Sequence, residues 1–166
     1  NTLVHRGYQP GSPIPGGPDP REFAGDLAAL LEHLQLTEVR LVGQSMGGWT
    51  VVGALLARPG LARRVVLADT LGGFRSADIS AALEAPRVTA PTSDGLTLGV
   101  HPALDPRFSA RRPDLAHLYQ SLGQMGTADA NLIISRLLAV RHDAAEAATL
   151  TMPVLCVVGD RDPLFP

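Results

Sequence analysis

A serine between two glycines is the strongest chemical signal in the sequence, Gly43-Gln44-Ser45-Met46-Gly47. The spacing Gly-x-Ser-x-Gly is typical of a nucleophilic serine on a tight strand-to-helix turn, where a strained backbone lifts the hydroxyl clear of the sheet. We expect glycines at both positions because a Cβ there would collide with the neighbouring strand or helix. The helix that begins at Met46 would point its free N–H groups at a developing oxyanion.

An acidic turn follows the most apolar strand pattern of the chain, Gly159-Asp160-Arg161-Asp162-Pro163. A carboxylate at the carboxyl end of a parallel strand lies on the rim where such sheets bind ligands. The turn also comes after the serine, as a triad in the order serine, acid and histidine requires. Two alternatives stay open: the turn is only structural, or the acid is Asp69, which ends the strand after Ser45.

The histidines all precede this turn: His5, His33, His101, His117 and His142. In a triad of this order the histidine follows the acid. We therefore interpret all five as surface or packing residues, with His142 as the least unsuitable substitute. The catalytic histidine is expected outside these 166 residues.

Apolar segments on both sides of Ser45 predict the elements that position it. They are the strand Val39–Val42, a helix from Met46 to about Arg58 and the strand Val65–Ala68. Strand, helix and strand in this succession predict a right-handed βαβ unit with parallel strands. A further strand, Val154–Val158, is continuous and rich in β-branched residues. The pattern predicts an α/β fold class with a mostly parallel sheet and flanking helices.

A helix before this unit is predicted from Pro20 to Leu34. Asp19 would cap it, Pro20 would take the first helical position, and Glu22 would complete a capping box. Residues 75–149 differ, because they lack a strong strand pattern and show three short helical patterns: Asp78–Leu83, Pro113–Leu122 and Ala128–Val140. We interpret residues 75–149 as a mostly helical insertion between two core segments, residues 1–74 and 150–166.

Composition excludes several classes of function. A net charge of −2 and 4% aromatic residues argue against a nucleic acid or an anionic membrane as partner. All fourteen basic residues are arginine, which removes every lysine-based mechanism. No metal-ligand spacing and no phosphate-binding or dinucleotide motif occurs, so we expect no metal and no cofactor. The single cysteine, Cys156, is expected to be buried. No signal peptide precedes Asn1, so either a leader has been removed or the chain begins within a longer one, and we expect a cytoplasmic location.

Residues 1–74 and 150–166 resemble the α/β-hydrolase superfamily, in its cap-bearing branch of esterases, lactonases and C–C hydrolases. Three segments carry the resemblance: the loop His5–Ser12, the elbow Leu41–Trp49, and the strand and acid turn Pro153–Pro163. The first is similar to the family's Arg-Gly-aromatic loop after the fourth strand. The resemblance implies that Asp162, rather than Asp160, is the triad acid, and that residues 75–149 form a cap over the active site.

The resemblance further implies a serine hydrolase that cleaves an ester, a lactone or a related acyl bond of a small molecule. Ser45 would form an acyl-enzyme, the N–H of Met46 would be one oxyanion donor, and Asp162 would orient a histidine. The chain departs from the family at Val4, where an aspartate is frequent. The family's His-Gly oxyanion segment and its catalytic histidine are expected in a longer protein of which this chain is a part. The alternative function is a non-catalytic α/β-hydrolase-fold protein that binds a small ligand or a partner.

Overall fold

The structure, a computed structural model, describes residues 2–8, 11, 13–84, 104–124 and 129–162. Seven helices and three strands lie in these ranges. In chain order they are α1 (Pro20–His33), β1 (Val39–Gln44), α2 (Met46–Ala57), β2 (Ala62–Ala68), α3 (Ala77–Glu84), α4 (Pro106–Arg111), α5 (Pro113–Gln124), α6 (Ala130–Ala139), α7 (Ala144–Ala148) and β3 (Val154–Val157).

The three strands form one parallel sheet in the order β1-β2-β3. Gly43 of β1 is in register with Leu67 of β2, which in turn is in register with Cys156 of β3. The predicted parallel strands and the helix between β1 and β2 are confirmed. Because all three strands run the same way, the residues that follow them lie together at the carboxyl ends of the strands.

Helix α1 begins as predicted and is capped differently. The side chain of Asp19 accepts a hydrogen bond from the backbone N–H of Arg21 at 3.0 Å, and proline holds the first helical position. The predicted capping box is wrong, because the carboxylate of Glu22 pairs with the guanidinium of Arg6 at 2.9 Å.

The core lies between α1, α2 and the sheet. Val52 and Leu55 of α2 are 0% and 1% exposed, and Leu27 and Leu31 of α1 pack against the same cluster. Burial of such a side chain contributes about 1.5–3 kcal/mol to folding. The apolar sequence of α2 therefore holds that helix, and the turn that starts it, firmly against the sheet.

Strand β3 is exposed on both faces, and the predicted burial of Cys156 is wrong. β3 pairs with β2 at the end of the sheet, and no described helix covers it.

The opposite side of the sheet, at β1, is open as well in the described part of the chain. There, Val42 is 68% exposed and a cavity of about 590 Å³ runs between β1 and the leucines of α1. Among the described residues, β1 therefore presents an open apolar edge.

The described part of residues 75–149 is helical, as the sequence patterns predict. It holds α3, α5 and α6 near the three predicted positions, and α4 and α7 in addition. Residues 85–103, which include His101, and Pro163 of the acid turn lie outside the described residues.

Helix α6 contacts the loop before α1, where Arg136 donates hydrogen bonds to the carbonyls of Gly17 and Pro18, both at 3.0 Å. None of the described helices is long and apolar enough to cross a membrane.

Candidate active site

Ser45 is the single residue between β1 and α2, and its backbone is strained. Its φ of 48° and ψ of −122° lie in a region that residues other than glycine rarely adopt. Such a conformation costs about 1–3 kcal/mol and persists where the surroundings impose it. The backbone N–H of Ser45 donates to the carbonyl of Ala68 at 3.0 Å, whereas its hydroxyl does not cap the helix. The turn therefore holds the backbone and leaves the hydroxyl available.

Two glycines around Ser45 are sterically required, and they are not the two that the motif suggests. A Cβ on Gly43 would lie 2.7 Å from the carbonyl oxygen of Gly47. A Cβ on Gly48 would lie 2.8 Å from the Cβ of Thr70 and closer still to its hydroxyl. A Cβ on Gly47 would meet no described atom within 4 Å. The expected collision is confirmed at Gly43 and wrong at Gly47, because it is Gly48 that packs against the side chain of Thr70, the second residue after β2.

Gly48→Ala is expected to lower the free energy of unfolding by about 1–3 kcal/mol, because the added methyl group overlaps Thr70. The matched change Gly47→Ala should alter it by less than about 1 kcal/mol, since only helix propensity and chain entropy change. Urea denaturation of both variants measures the difference. Equal destabilisation by the two changes would contradict this packing at Thr70.

Thr70 contacts the turn at Ser45 from the end of β2. Its hydroxyl donates to the carbonyl of Ser45 at 2.7 Å and accepts from the N–H of Gly72 at 3.1 Å. The N–H of Gly48 donates to the same Ser45 carbonyl at 2.9 Å. Sequence reasoning missed Thr70. The only available signal was its place two residues after the end of β2.

The N-terminus of α2 can stabilise negative charge beside Ser45. The N–H of Met46 is in the first helical turn and has no intrahelical acceptor, and the dipole of the helix adds a positive potential there. The phenol of Tyr8 donates to the Met46 sulfur at 3.7 Å, which places the Arg-Gly-aromatic loop beside the turn. Burial raises the pKa of Tyr8, so the phenol stays protonated at neutral pH.

The loop that contains His5, Arg6 and Tyr8 contacts both α1 and α2. Arg6 pairs with Asp26 and Glu22 of α1. The ring of His5 stacks on Phe23 with centroids 4.3 Å apart, and its Nε2 lies 2.8 Å from the hydroxyl of Thr50 on α2. His5 is therefore a packing residue, as predicted.

Burial lowers the pKa of His5 below 6.5, against a smaller opposite effect of Asp26. A histidine with a depressed folded-state pKa binds fewer protons when folded, so the stability it contributes is present above pH 6.5 and is lost as the pH falls. We expect the free energy of unfolding to fall between pH 7.5 and pH 5.5, and to fall less in His5→Gln. Denaturation curves at the two pH values test this. An equal fall in both proteins would assign the effect to other groups.

The acid turn lies at the same edge of the sheet as Ser45. The N–H of Asp162 donates to the carbonyl of Gly159 at 3.0 Å. The N–H of Gly159 donates to a carboxylate oxygen of Asp69 at 3.1 Å. Asp162 is half-buried and Asp160 is exposed. Of the two aspartates in the turn, Asp162 is thus the one that its surroundings restrain.

Ser45 follows β1 and the acid turn follows β3, the two strands that flank β2. The ends of β1 and β3 are two strand spacings apart, about 10 Å. His142 lies near the loop after β2, with Nδ1 3.5 Å from Glu146 and a buried Nε2 that has no described partner. His33 and His117 are exposed on α1 and α5. Among the described residues no group of His, Cys, Asp or Glu could hold a metal ion.

The chain is similar to a known family and to several solved structures. The family model described as serine aminopeptidase, S33, matches residues 7–166. Similar solved structures include an N-acyl homoserine lactone degrading enzyme, with a TM-score of 0.68, 19% identity, and coverage of 97% of this chain and 64% of that one. A thermophilic esterase from Thermogutta terrifontis has a TM-score of 0.66, 24% identity, and coverage of 97% and 61%.

A hydrolase from Pseudomonas aeruginosa has a TM-score of 0.65, 22% identity, and coverage of 96% and 61%. At these identities the likeness concerns the fold. The chain spans 61–64% of the length of these three proteins.

Proposed function

The chain belongs to the serine aminopeptidase S33 family of the α/β-hydrolase superfamily, and we propose that it is the nucleophile-bearing part of a serine hydrolase. The predicted α/β-hydrolase fold is confirmed. The proposed substrate is a small molecule with an ester, a lactone or a related acyl bond. Structural neighbours described as an esterase and as a lactone-degrading enzyme support this class of substrate.

The backbone of Ser45 is the observation that carries the proposal. A non-glycine residue at φ 48° is costly, and the contacts of Thr70 and Gly48 with its carbonyl maintain it. A hydroxyl that makes no hydrogen bond to the helix it precedes, and that has no partner among the described residues, can attack a carbonyl whose oxyanion the helix N–H groups would stabilise.

In the proposed reaction the Ser45 oxygen attacks the carbonyl carbon of the substrate, and a histidine accepts the hydroxyl proton. The N–H of Met46 donates to the oxyanion. The tetrahedral intermediate collapses, the leaving alcohol takes the proton from the histidine, and water then hydrolyses the acyl-enzyme. Asp162 orients the histidine and stabilises its protonated form.

We further propose that the histidine comes from a segment that follows the acid turn. Of the described histidines, His5 lies within hydrogen-bond distance of the Thr50 hydroxyl, and His142 lies beside Glu146. The insertion 75–149 is proposed to be a cap. It leaves the sheet after β2, at the edge that carries Ser45, and its described residues are helical.

Labelling with a serine-reactive fluorophosphonate tests the proposal in the full-length protein. We expect one phosphonate per chain, located by mass spectrometry on the peptide that contains Ser45, and no label on Ser45→Ala. A folded wild-type protein that takes up no label would favour the alternative, a ligand-binding protein on a hydrolase fold.

A further inference from the structure

We propose that Asp69 and Thr70, two consecutive residues at the end of β2, are positioning residues that set the geometry of Ser45 relative to Asp162. The inference rests on the proposed function and adds to it two residues that would not touch the substrate. β2 is the central strand of the three described strands, so its end lies between the nucleophile turn and the acid turn.

Thr70 contacts the nucleophile side. Its hydroxyl donates to the Ser45 carbonyl at 2.7 Å and is itself oriented by the N–H of Gly72 at 3.1 Å. The Thr70 side chain also fills the space in which Gly48 would otherwise carry a Cβ. A displacement of Thr70 would therefore move the peptide that carries the nucleophile.

Asp69 contacts the acid side. Its N–H donates to the carbonyl of Val157 at 2.8 Å, and its carboxylate accepts the N–H of Gly159 at 3.1 Å. The carbonyl of that same glycine accepts the N–H of Asp162 at 3.0 Å. Gly159 is thus held at its N–H by Asp69 and at its carbonyl by Asp162, which restricts where the acid turn can lie.

The backbone of Asp69 supports the assignment. Its φ of 45° is left-handed, a conformation that aspartate and asparagine tolerate better than most residues. The regular pairing of β2 with its neighbours ends at Asp69. The side chain of Asp69 contacts Gly159, which follows β3, and the side chain of Thr70 contacts Ser45, which follows β1. Regular strand geometry would instead send them to opposite faces of the sheet.

Substitutions at Asp69 separate positioning from direct catalysis, because Asp69 is also the alternative triad acid. Asp69→Asn keeps an oxygen that accepts the Gly159 N–H and keeps the preference for positive φ. We expect Asp69→Asn to retain most of kcat. Asp69→Ala and Asp69→Gly should each lower kcat about 30- to 100-fold with little change in KM, as for a misplacement of about 1 Å.

Asp69→Gly adopts the positive φ without strain, so it reports on the lost hydrogen bond even if Asp69→Ala fails to fold. Thr70 has its own pair: Thr70→Ser keeps the hydroxyl and should retain most of kcat, and Thr70→Val should lose about tenfold or more.

Two results would overturn the proposal. A wild-type kcat in both Asp69→Gly and Thr70→Val would show that the contacts do not position the site. A loss of about 10⁴-fold in Asp69→Asn would identify Asp69 as the triad acid itself. Failure of the proposed function is seen separately, as activity or labelling that survives Ser45→Ala.

Discussion

Ser45→Ala in the full-length protein is expected to lower kcat by about 10⁶-fold, the loss typical of removing a serine nucleophile. The reason is that the acyl-enzyme can no longer form, and only binding and oxyanion stabilisation remain. The Ser45 hydroxyl has no described hydrogen-bond partner and alanine keeps the Cβ. The free energy of unfolding should therefore change by less than about 0.5 kcal/mol.

Steady-state kinetics with an activated ester such as p-nitrophenyl acetate would measure the loss. Ser135→Ala is a matched control, since Ser135 is an exposed serine on α6 whose hydroxyl bonds only to the carbonyl of Leu132. Its kcat should equal that of the wild type. Retention of more than about one per cent of kcat in Ser45→Ala would exclude Ser45 as the nucleophile, since the residual rate of such variants is far smaller.

Asp162→Asn is expected to lower kcat by about 10⁴-fold. Asparagine has nearly the same shape, but its amide N–H would face the histidine, so the imidazole would be held in the wrong tautomer. The N–H of Asp162 that donates to Gly159 belongs to the backbone and survives the change. The acid turn should therefore keep its conformation.

Asp160→Asn is the matched control in the same turn, because Asp160 is exposed and carries the same side chain. It should leave kcat within about twofold of the wild type, as expected for a surface substitution. If Asp160→Asn lowered kcat strongly and Asp162→Asn only slightly, Asp160 would be the triad acid. If neither variant lowered kcat but Asp69→Asn lowered it strongly, the triad acid would be Asp69 at the end of β2.

The strand–helix–strand unit was predictable because its signals are local. The apolar run of α2 and the Pro59-Gly60 pair place the helix within a residue of its observed end. The start of β2 was predicted three residues late, at Val65 rather than Ala62. Arg63 and Arg64 interrupt the apolar pattern, but their backbones extend the strand toward Val39, where the register with β1 shifts.

Two predictions failed for reasons that lie outside the element concerned. The local pattern of α1 predicts a capping box, yet Arg6, sixteen residues before Glu22, takes the carboxylate. The apolar pattern of β3 predicts burial, yet Cys156 is exposed, since no described helix packs against β3. Neither outcome can be read from the residues near the element concerned.

The sequence by itself determined the two parts of the proposed site: a serine at a strand-to-helix junction, and a carboxylate turn after the strand with the clearest pattern. Turns, caps and hydrophobic periodicity act over a few residues, so their signals survive without coordinates. Only the tertiary structure decided that Gly48, rather than Gly47, must lack a side chain, and that Asp69 and Thr70 lie between Ser45 and Asp162. Those contacts depend on which strands are neighbours and in what register, and the free energy that selects them comes from burial of the whole core.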